Sequence, residues 1–84
     1  MSIVNAKVFL EKIQDDNSFR TQINGIGSEI KFSDFLKEQG INFSSSEAEE
    51  AFNMLHVSCQ LESEAESLKN AYLYYQLIVS SFNN

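Results

Sequence analysis

The chain has no proline and no tryptophan, and its three glycines all precede residue 41. Because proline and glycine interrupt helices most strongly, the second half of the sequence contains almost nothing that would end one. Hydrophobic residues make up 43% of the 84 residues, enough for one small packed core. These features predict a single helical domain and argue against disorder.

Basic residues are few and scattered, six against twelve acidic residues, which gives a net charge of -6. Binding to a phosphate backbone needs clustered Lys and Arg, so we expect no nucleic-acid partner. The imbalance comes from one window of glutamates without a basic residue, which predicts a single acidic face. We interpret this face mainly as solvated surface and secondarily as a surface that attracts a basic partner. Its members are Glu47, Glu49, Glu50, Glu62, Glu64 and Glu66.

Cysteine and histidine occur once each, as Cys59 and His56. A zinc site needs three or four ligands such as His and Cys, and the sequence offers only these two. A catalytic cysteine also needs groups that stabilise an oxyanion, and the sequence indicates none. Gly25-Ile26-Gly27 lacks the lysine and the preceding strand of a phosphate-binding loop. We therefore expect no metal, no cofactor and no enzymatic activity.

A single cysteine cannot form a disulfide within the chain, which favours a reducing compartment. The first residues lack the pattern of a secretory signal, and the apolar stretch at residues 72–79 is too short to span a bilayer. We expect a cytoplasmic location without membrane attachment.

Two helices are predicted before the first glycine. Ser2 can cap a helix that runs to about Gln14, and Asp16 can cap a second helix that ends at Gly25-Ile26-Gly27. Apolar residues recur at steps of three and four, so they share one face of each helix. The expected core residues are Ile3, Ala6, Phe9, Leu10 and Ile13 in the first helix, and Phe19, Ile23 and then Ile26 in the second.

Two more helices meet at residues 40–47. Either Ser28 or Ser33 begins the third helix, and Gly40 can adopt the left-handed conformation that closes it. Ser44 and Glu47 have the spacing of a capping box for the fourth helix. The expected core residues are Ile30, Phe32, Phe35, Leu36, Ala48, Ala51, Phe52 and Leu55. We expect one phenylalanine cluster formed by Phe9, Phe19, Phe35, Phe43 and Phe52.

The last helix is predicted to follow a break near Ser58 to Glu62, because Ser63 and Glu66 repeat the capping-box spacing. The alternative is one continuous helix, since residues 56–60 contain no helix breaker. Its apolar seam advances by steps of four and three and consists of Leu61, Ala65, Leu68, Tyr72, Tyr75, Val79 and Phe82. Leu73, Leu77 and Ile78 lie beside this seam, so the apolar band is wider than one intramolecular partner needs.

This excess predicts a protein contact through the last helix. Three tyrosines in four positions cannot all face inward, and tyrosine is enriched at interfaces. The candidate interaction residues are Leu61, Leu68, Tyr72, Tyr74, Tyr75, Val79 and Phe82.

From Ser2 to about Leu55 the sequence resembles the nif-eleven-like leader peptide family, a nitrogen-fixation-associated bacterial domain. The resemblance rests on an ordered set of short elements rather than on one motif. They are the opening Met1-Ser2, Phe9-Leu10, Asp15-Asp16, Phe19-Arg20, Gln22, Phe35, Gly40, Phe43-Ser44, Glu47 and Glu50.

The resemblance implies a helical domain that precedes a ribosomally made peptide and is held by a modifying enzyme. In such precursors a peptidase-transporter then cuts after a pair of small residues, often two glycines. This chain has no Gly-Gly or Gly-Ala pair after Leu55, and no tail rich in Cys, Ser and Thr. We therefore expect a stand-alone member of the family, with a truncated precursor as a further hypothesis.

The prediction is an all-α fold, a small bundle of four short helices plus a longer C-terminal amphipathic helix. Residues 1–57 form the leader-like helical domain, and residues 58–84 form the helix that packs on it or on a second chain, as a single domain overall. The expected function is a non-enzymatic protein-interaction module that docks a peptide-modifying enzyme. The alternative is a structural or regulatory protein that dimerises through its C-terminal helix.

Overall fold

A computed structural model describes residues 2–82. In this range the chain forms five helices and no strand: α1 (Ile3–Asp15), α2 (Asn17–Asn24), α3 (Glu29–Glu38), α4 (Ser45–Ser58) and α5 (Glu62–Ser81). The predicted all-α fold with a longer last helix is confirmed. Met1, with which the resemblance opens, and residues 83 and 84 of the predicted C-terminal segment lie outside the described residues.

Helix α1 is the centre of the fold, because it packs against α4, α5 and α2 while α4 also packs against α5. Its Phe9 side chain is fully buried. The Phe9 ring meets Phe43 at a centroid distance of 5.0 Å, Tyr75 at 5.6 Å, Phe19 at 5.7 Å and Phe32 at 6.1 Å. One side chain therefore joins rings from α2, α3, α5 and the α3–α4 loop.

The predicted helix starts depend on side-chain oxygens that accept otherwise unpaired backbone N–H groups. Ser2 Oγ accepts from the N–H of Asn5 at 3.0 Å, and Asp16 Oδ1 accepts from the N–H of Phe19 at 3.1 Å. For α3 the cap is Ser28 rather than Ser33, so the structure decides between the two predicted serines.

The junction between α3 and α4 is built as predicted. Gly40 has φ of 73°, and its N–H donates to the carbonyl of Lys37 while the N–H of Ile41 donates to the carbonyl of Leu36. These two bonds form a Schellman motif, which ends α3. Ser44 and Glu47 then form the reciprocal capping box, with distances of 3.2 and 2.8 Å.

Arg20 joins α2 to its neighbours, a role that the sequence reading did not assign. Its guanidinium donates to the carbonyl oxygens of Ile13 and Gln14, two of the unpaired carbonyls at the end of α1. The hydroxyl of Tyr74 donates to the carbonyl of Arg20 at 3.3 Å and to the side-chain oxygen of Asn24. The α1–α2 corner is thereby fixed to α5.

Two predictions, one about packing and one about a cap, need correction. Ile30 is 75% exposed rather than in the core, because α3 turns Phe32 and Leu36 inward. The break before α5 lies where predicted, but the Ser63–Glu66 capping box does not form. Instead, Leu61 precedes α5, and the Glu64 carboxylate accepts the backbone N–H of Leu61 at 3.3 Å.

The phenylalanine cluster also differs from the prediction. Phe52 is partly buried and stacks on Tyr72 at 4.6 Å rather than on another phenylalanine. Phe32, which the predicted cluster leaves out, packs against Phe9 instead.

Candidate docking surface on helix α5

Helix α5 has a buried side and an exposed apolar side. Leu68, Ala71 and Tyr75 are at most 7% exposed and lie in the core with α1 and α4. Leu73 and Leu77 are 54% and 69% exposed, and their four-residue spacing places them together on the opposite side of the helix. We call Leu73 and Leu77 the α5 ridge.

The predicted interaction residues lie mostly on the inner side. Leu68 and Tyr75 are buried within the chain, and Leu61 is exposed at the start of the helix. The remaining four are partly buried against the core: Tyr72, Tyr74, Val79 and Phe82. The predicted seam is thus the side that α5 uses within its own chain, and a role of these residues in binding a partner stays a prediction.

Helices α4 and α5 form an antiparallel hairpin through the turn at residues 59–61. The hydroxyl oxygens of Ser45 and Tyr75 are 3.5 Å apart, and the rings of Phe52 and Tyr72 stack with an interplanar angle of 15°. His56 extends this stack, since its ring lies 5.4 Å from that of Phe52. The partly buried rings therefore form an aromatic row along one side of the hairpin.

The hairpin divides the predicted acidic face into two groups. Glu47, Glu49 and Glu50 lie in the first turns of α4, beside the C-terminal half of α5, whereas the remaining three lie in the first turns of α5 at the other end. Glu47 is partly buried, and its carboxylate belongs to the capping box. The other five are exposed. Carboxylates near the start of a helix stabilise it, because they interact favourably with the partial positive charge of its N-terminus.

Two grooves lie on either side of the α5 ridge. The α4-side groove has a volume of about 340 Å³ and is lined by Ser45, Ser46, Glu49, Tyr72, Tyr75, Gln76, Val79 and Ser80. The α2-side groove has a volume of about 280 Å³, and none of its lining residues is charged. It includes Leu77 itself, with Ile26, Ile78 and Phe82.

Two tyrosines beside these grooves have altered acidity. Burial raises the pKa of the Tyr72 hydroxyl, and the negative charge of Glu49 raises it further. Burial also raises the pKa of Tyr74, while the charge of Arg20 opposes that shift. Glu49 and Tyr72 line the α4-side groove together, so a carboxylate lies close to the aromatic row.

His56 and Cys59 each contact a different partner. The His56 ring packs on Phe52, and the Cys59 thiol donates to the carbonyl of Leu55 at 3.3 Å. Within residues 2–82 no three His, Cys, Asp or Glu side chains are placed to hold a metal ion. Cys59 lines a groove of about 420 Å³ with Glu11 and Glu64.

The sequence model of the Nif11 domain matches residues 1–47, more than half of the 84 residues. The chain belongs to the Nif11 domain family. Comparison with curated proteins and with solved structures gave no match. The Nif11 match ends in the first turn of α4, so α5 and most of α4 lie beyond it.

The residues that resemble the Nif11 family mainly build the fold. Phe9 and Leu10 are fully buried, Asp16 caps α2, and Arg20 binds the end of α1. Gly40 supplies the turn that closes α3. The likeness therefore identifies a helical scaffold, and the α5 ridge lies outside it.

No helix within the described part of the chain combines the length and the apolar character needed to cross a membrane.

Proposed function

We propose that this chain is a non-catalytic leader-like module that docks onto a peptide-modifying enzyme through the α5 ridge. Family membership supports a leader-like function in general terms, since the Nif11 domain is known as a leader-like domain of peptide precursors. The observation that carries the proposal is the exposure of Leu73 and Leu77 on a helix whose other side is already buried.

The ridge has the geometry of a helix that is received by an apolar groove. Leu73 and Leu77 are one helical turn apart, the spacing used by amphipathic helices that bind in this way. Burial of each leucine contributes about 1.5 to 3 kcal/mol before the cost of association is subtracted. The uncharged α2-side groove beside Leu77 offers space for an apolar side chain of the enzyme.

Self-association through α5 is the second candidate function. Leu68 and Tyr75 are covered by the chain's own helices, so a second copy would have to use the same exposed ridge. The two candidates therefore share a surface and differ in its occupant.

Isothermal titration calorimetry tests the proposal with the full chain and each peptide-modifying enzyme encoded beside its gene. We expect Leu77→Ser to weaken binding at least about tenfold, because the ridge then buries a hydroxyl in place of an apolar group. Ile30→Ser is the matched control, since Ile30 is equally apolar and 75% exposed on α3.

Light scattering on the same samples shows whether the ridge binds an enzyme or a second copy of this chain. A monomer that binds an enzyme and loses that binding on Leu77→Ser supports docking. A dimer that dissociates on Leu77→Ser, with no enzyme bound, supports self-association instead. Equal weakening by Leu77→Ser and Ile30→Ser would reject the ridge as the docking surface.

A further inference from the structure

The α4-side groove combines aromatic rings with negative charge. Tyr72 and Tyr75 form part of its wall, Glu49 contributes an exposed carboxylate, and none of the lining residues is Lys or Arg. Ser45, Ser46, Gln76 and Ser80 add hydroxyl and amide oxygens that can accept hydrogen bonds. The groove is therefore complementary to a group that is positively charged, flat and rich in donors.

We propose that this groove accepts an arginine side chain from the protein that docks on the α5 ridge. The proposal rests on the docking function above and names the chemistry of the partner at one position. Glu49 is the ion-pairing residue, and the partly exposed Tyr72 ring is the aromatic group beside which the guanidinium lies.

Each feature of guanidinium matches a feature of the groove. Its five N–H donors in a planar fork suit one carboxylate together with nearby hydroxyl oxygens. Its positive charge is attracted to an aromatic ring such as that of Tyr72, which is partly exposed in the groove. A lysine ammonium carries the same charge but lacks the planar fork of donors, so arginine is the better occupant.

The charge distribution of the chain favours the same partner. The net charge is -6, and no Lys or Arg lies between residues 47 and 66. Such a surface speeds the encounter with a basic partner and opposes an acidic one. Glu49 and Tyr72 both line this groove, so the carboxylate and the aromatic ring face the same space.

The groove is continuous with the α5 ridge along the helix. Gln76 and Ser80 line the groove, and they are three and seven residues beyond Leu73 on α5. On a helix these positions lie along one side, within about two turns. A partner seated on the ridge can therefore place an arginine in the groove without a second binding surface.

Nuclear magnetic resonance titration of the full ¹⁵N-labelled chain tests the proposal with a defined probe. The probe is the blocked tripeptide acetyl-Gly-Arg-Gly-amide, and the control replaces arginine with citrulline, which has nearly the same shape without the charge. We expect the arginine peptide to shift the amides of Ser46, Glu49, Gln76 and Ser80 saturably, with binding about two- to fivefold tighter than that of the citrulline peptide.

Two variants with the same change in net charge locate the site. Glu49→Gln is expected to weaken binding of the arginine peptide about two- to fivefold, the range for an exposed ion pair. Glu62→Gln leaves it unchanged, because Glu62 lies at the other end of the hairpin. Tyr72→Phe keeps the ring and is expected to keep most of the binding, with an unchanged spectrum elsewhere as the check on folding.

Equal weakening by Glu49→Gln and Glu62→Gln would overturn the proposal, since it would show attraction by net charge alone. Equal binding of the citrulline peptide, or shifts confined to other parts of the chain, would also overturn it. Leu77→Ser separates this result from the docking function: it should leave binding of the arginine peptide intact while it weakens binding of the enzyme.

Discussion

Residues 1–47, which match the Nif11 family, and residues 48–82, which extend beyond the match, contribute differently to the molecule. The first region contains the side chains that cap the N-termini of four helices and the glycine in the left-handed conformation. The second region contains five of the seven large apolar side chains that are exposed in residues 2–82. One region thus specifies the scaffold, and the other presents the apolar surface.

The two regions nevertheless share one core. Phe9 of the first region meets Tyr75 of the second at 5.6 Å, and α1 packs closely on both α4 and α5. The Nif11 match is therefore shorter than the structural unit, and α5 has two roles. Its inner side completes the core, while the α5 ridge remains accessible.

The inner and outer sides of α5 should respond very differently to truncation of a leucine. Leu68→Ala is expected to lower the free energy of unfolding by about 3 kcal/mol, because it leaves a cavity in the core. Leu77→Ala should change it by less than about 0.5 kcal/mol, because this side chain is 69% exposed. Chemical denaturation followed by circular dichroism measures both. Similar losses of unfolding free energy in the two variants would contradict the assignment of a buried and an exposed side to α5.

The turn between α3 and α4 tests how strongly the first region depends on local backbone geometry. Gly40→Ala is expected to destabilise the chain by about 1 to 2 kcal/mol, because alanine disfavours the left-handed conformation at φ of 73°. No atom lies within 4 Å of an added Cβ, so the loss is one of backbone conformation alone.

Gly27→Ala is the matched control, because Gly27 also has open space around an added Cβ but no positive φ. This variant should be neutral or more stable by up to about 1 kcal/mol. Thermal unfolding compares the two, and equal effects would contradict the Schellman motif.

The caps provide the smallest contrast between the regions. Ser44→Ala is expected to cost about 1 kcal/mol, since it removes the acceptor for the N–H of Glu47. Ser63→Ala should cost less than about 0.5 kcal/mol, because Ser63 follows the start of α5 instead of capping it. The same denaturation measurement checks both, and a loss at Ser63 comparable to that at Ser44 would restore the capping box predicted from the sequence.

Local features of the fold could be predicted from the sequence, because each depends on residues a few positions apart. Ser2, Asp16, Gly40 and the Ser44–Glu47 pair are of this kind. The helical spacing is also enough to exclude Ile30 from the core, because Ile30 lies almost opposite Phe32 and Leu36 on α3. The start of α5 was not predictable in this way, since Leu61 carries no capping oxygen.

The candidate docking surface was predicted only in outline. The sequence indicates that the apolar band of α5 is too wide for one partner and that Leu73 and Leu77 lie beside the seam. Which side of α5 faces outward depends on how α1 and α4 pack against Leu68 and Tyr75. Helix α1 is far from these two residues in the sequence, so local patterns do not reveal this packing. The stacking of Phe52 on Tyr72 likewise appears only when the hairpin is folded.

The central claim is that the family-matched region needs the inner side of α5 to close its core. Circular dichroism of residues 1–61, alone and with a separate peptide of residues 62–84, tests this claim most directly. We expect residues 1–61 to lack a cooperative thermal transition, and the peptide to restore it unless the peptide carries Leu68→Ala. Cooperative unfolding of residues 1–61 alone, with the helical content expected for α1 to α4, would contradict the claim.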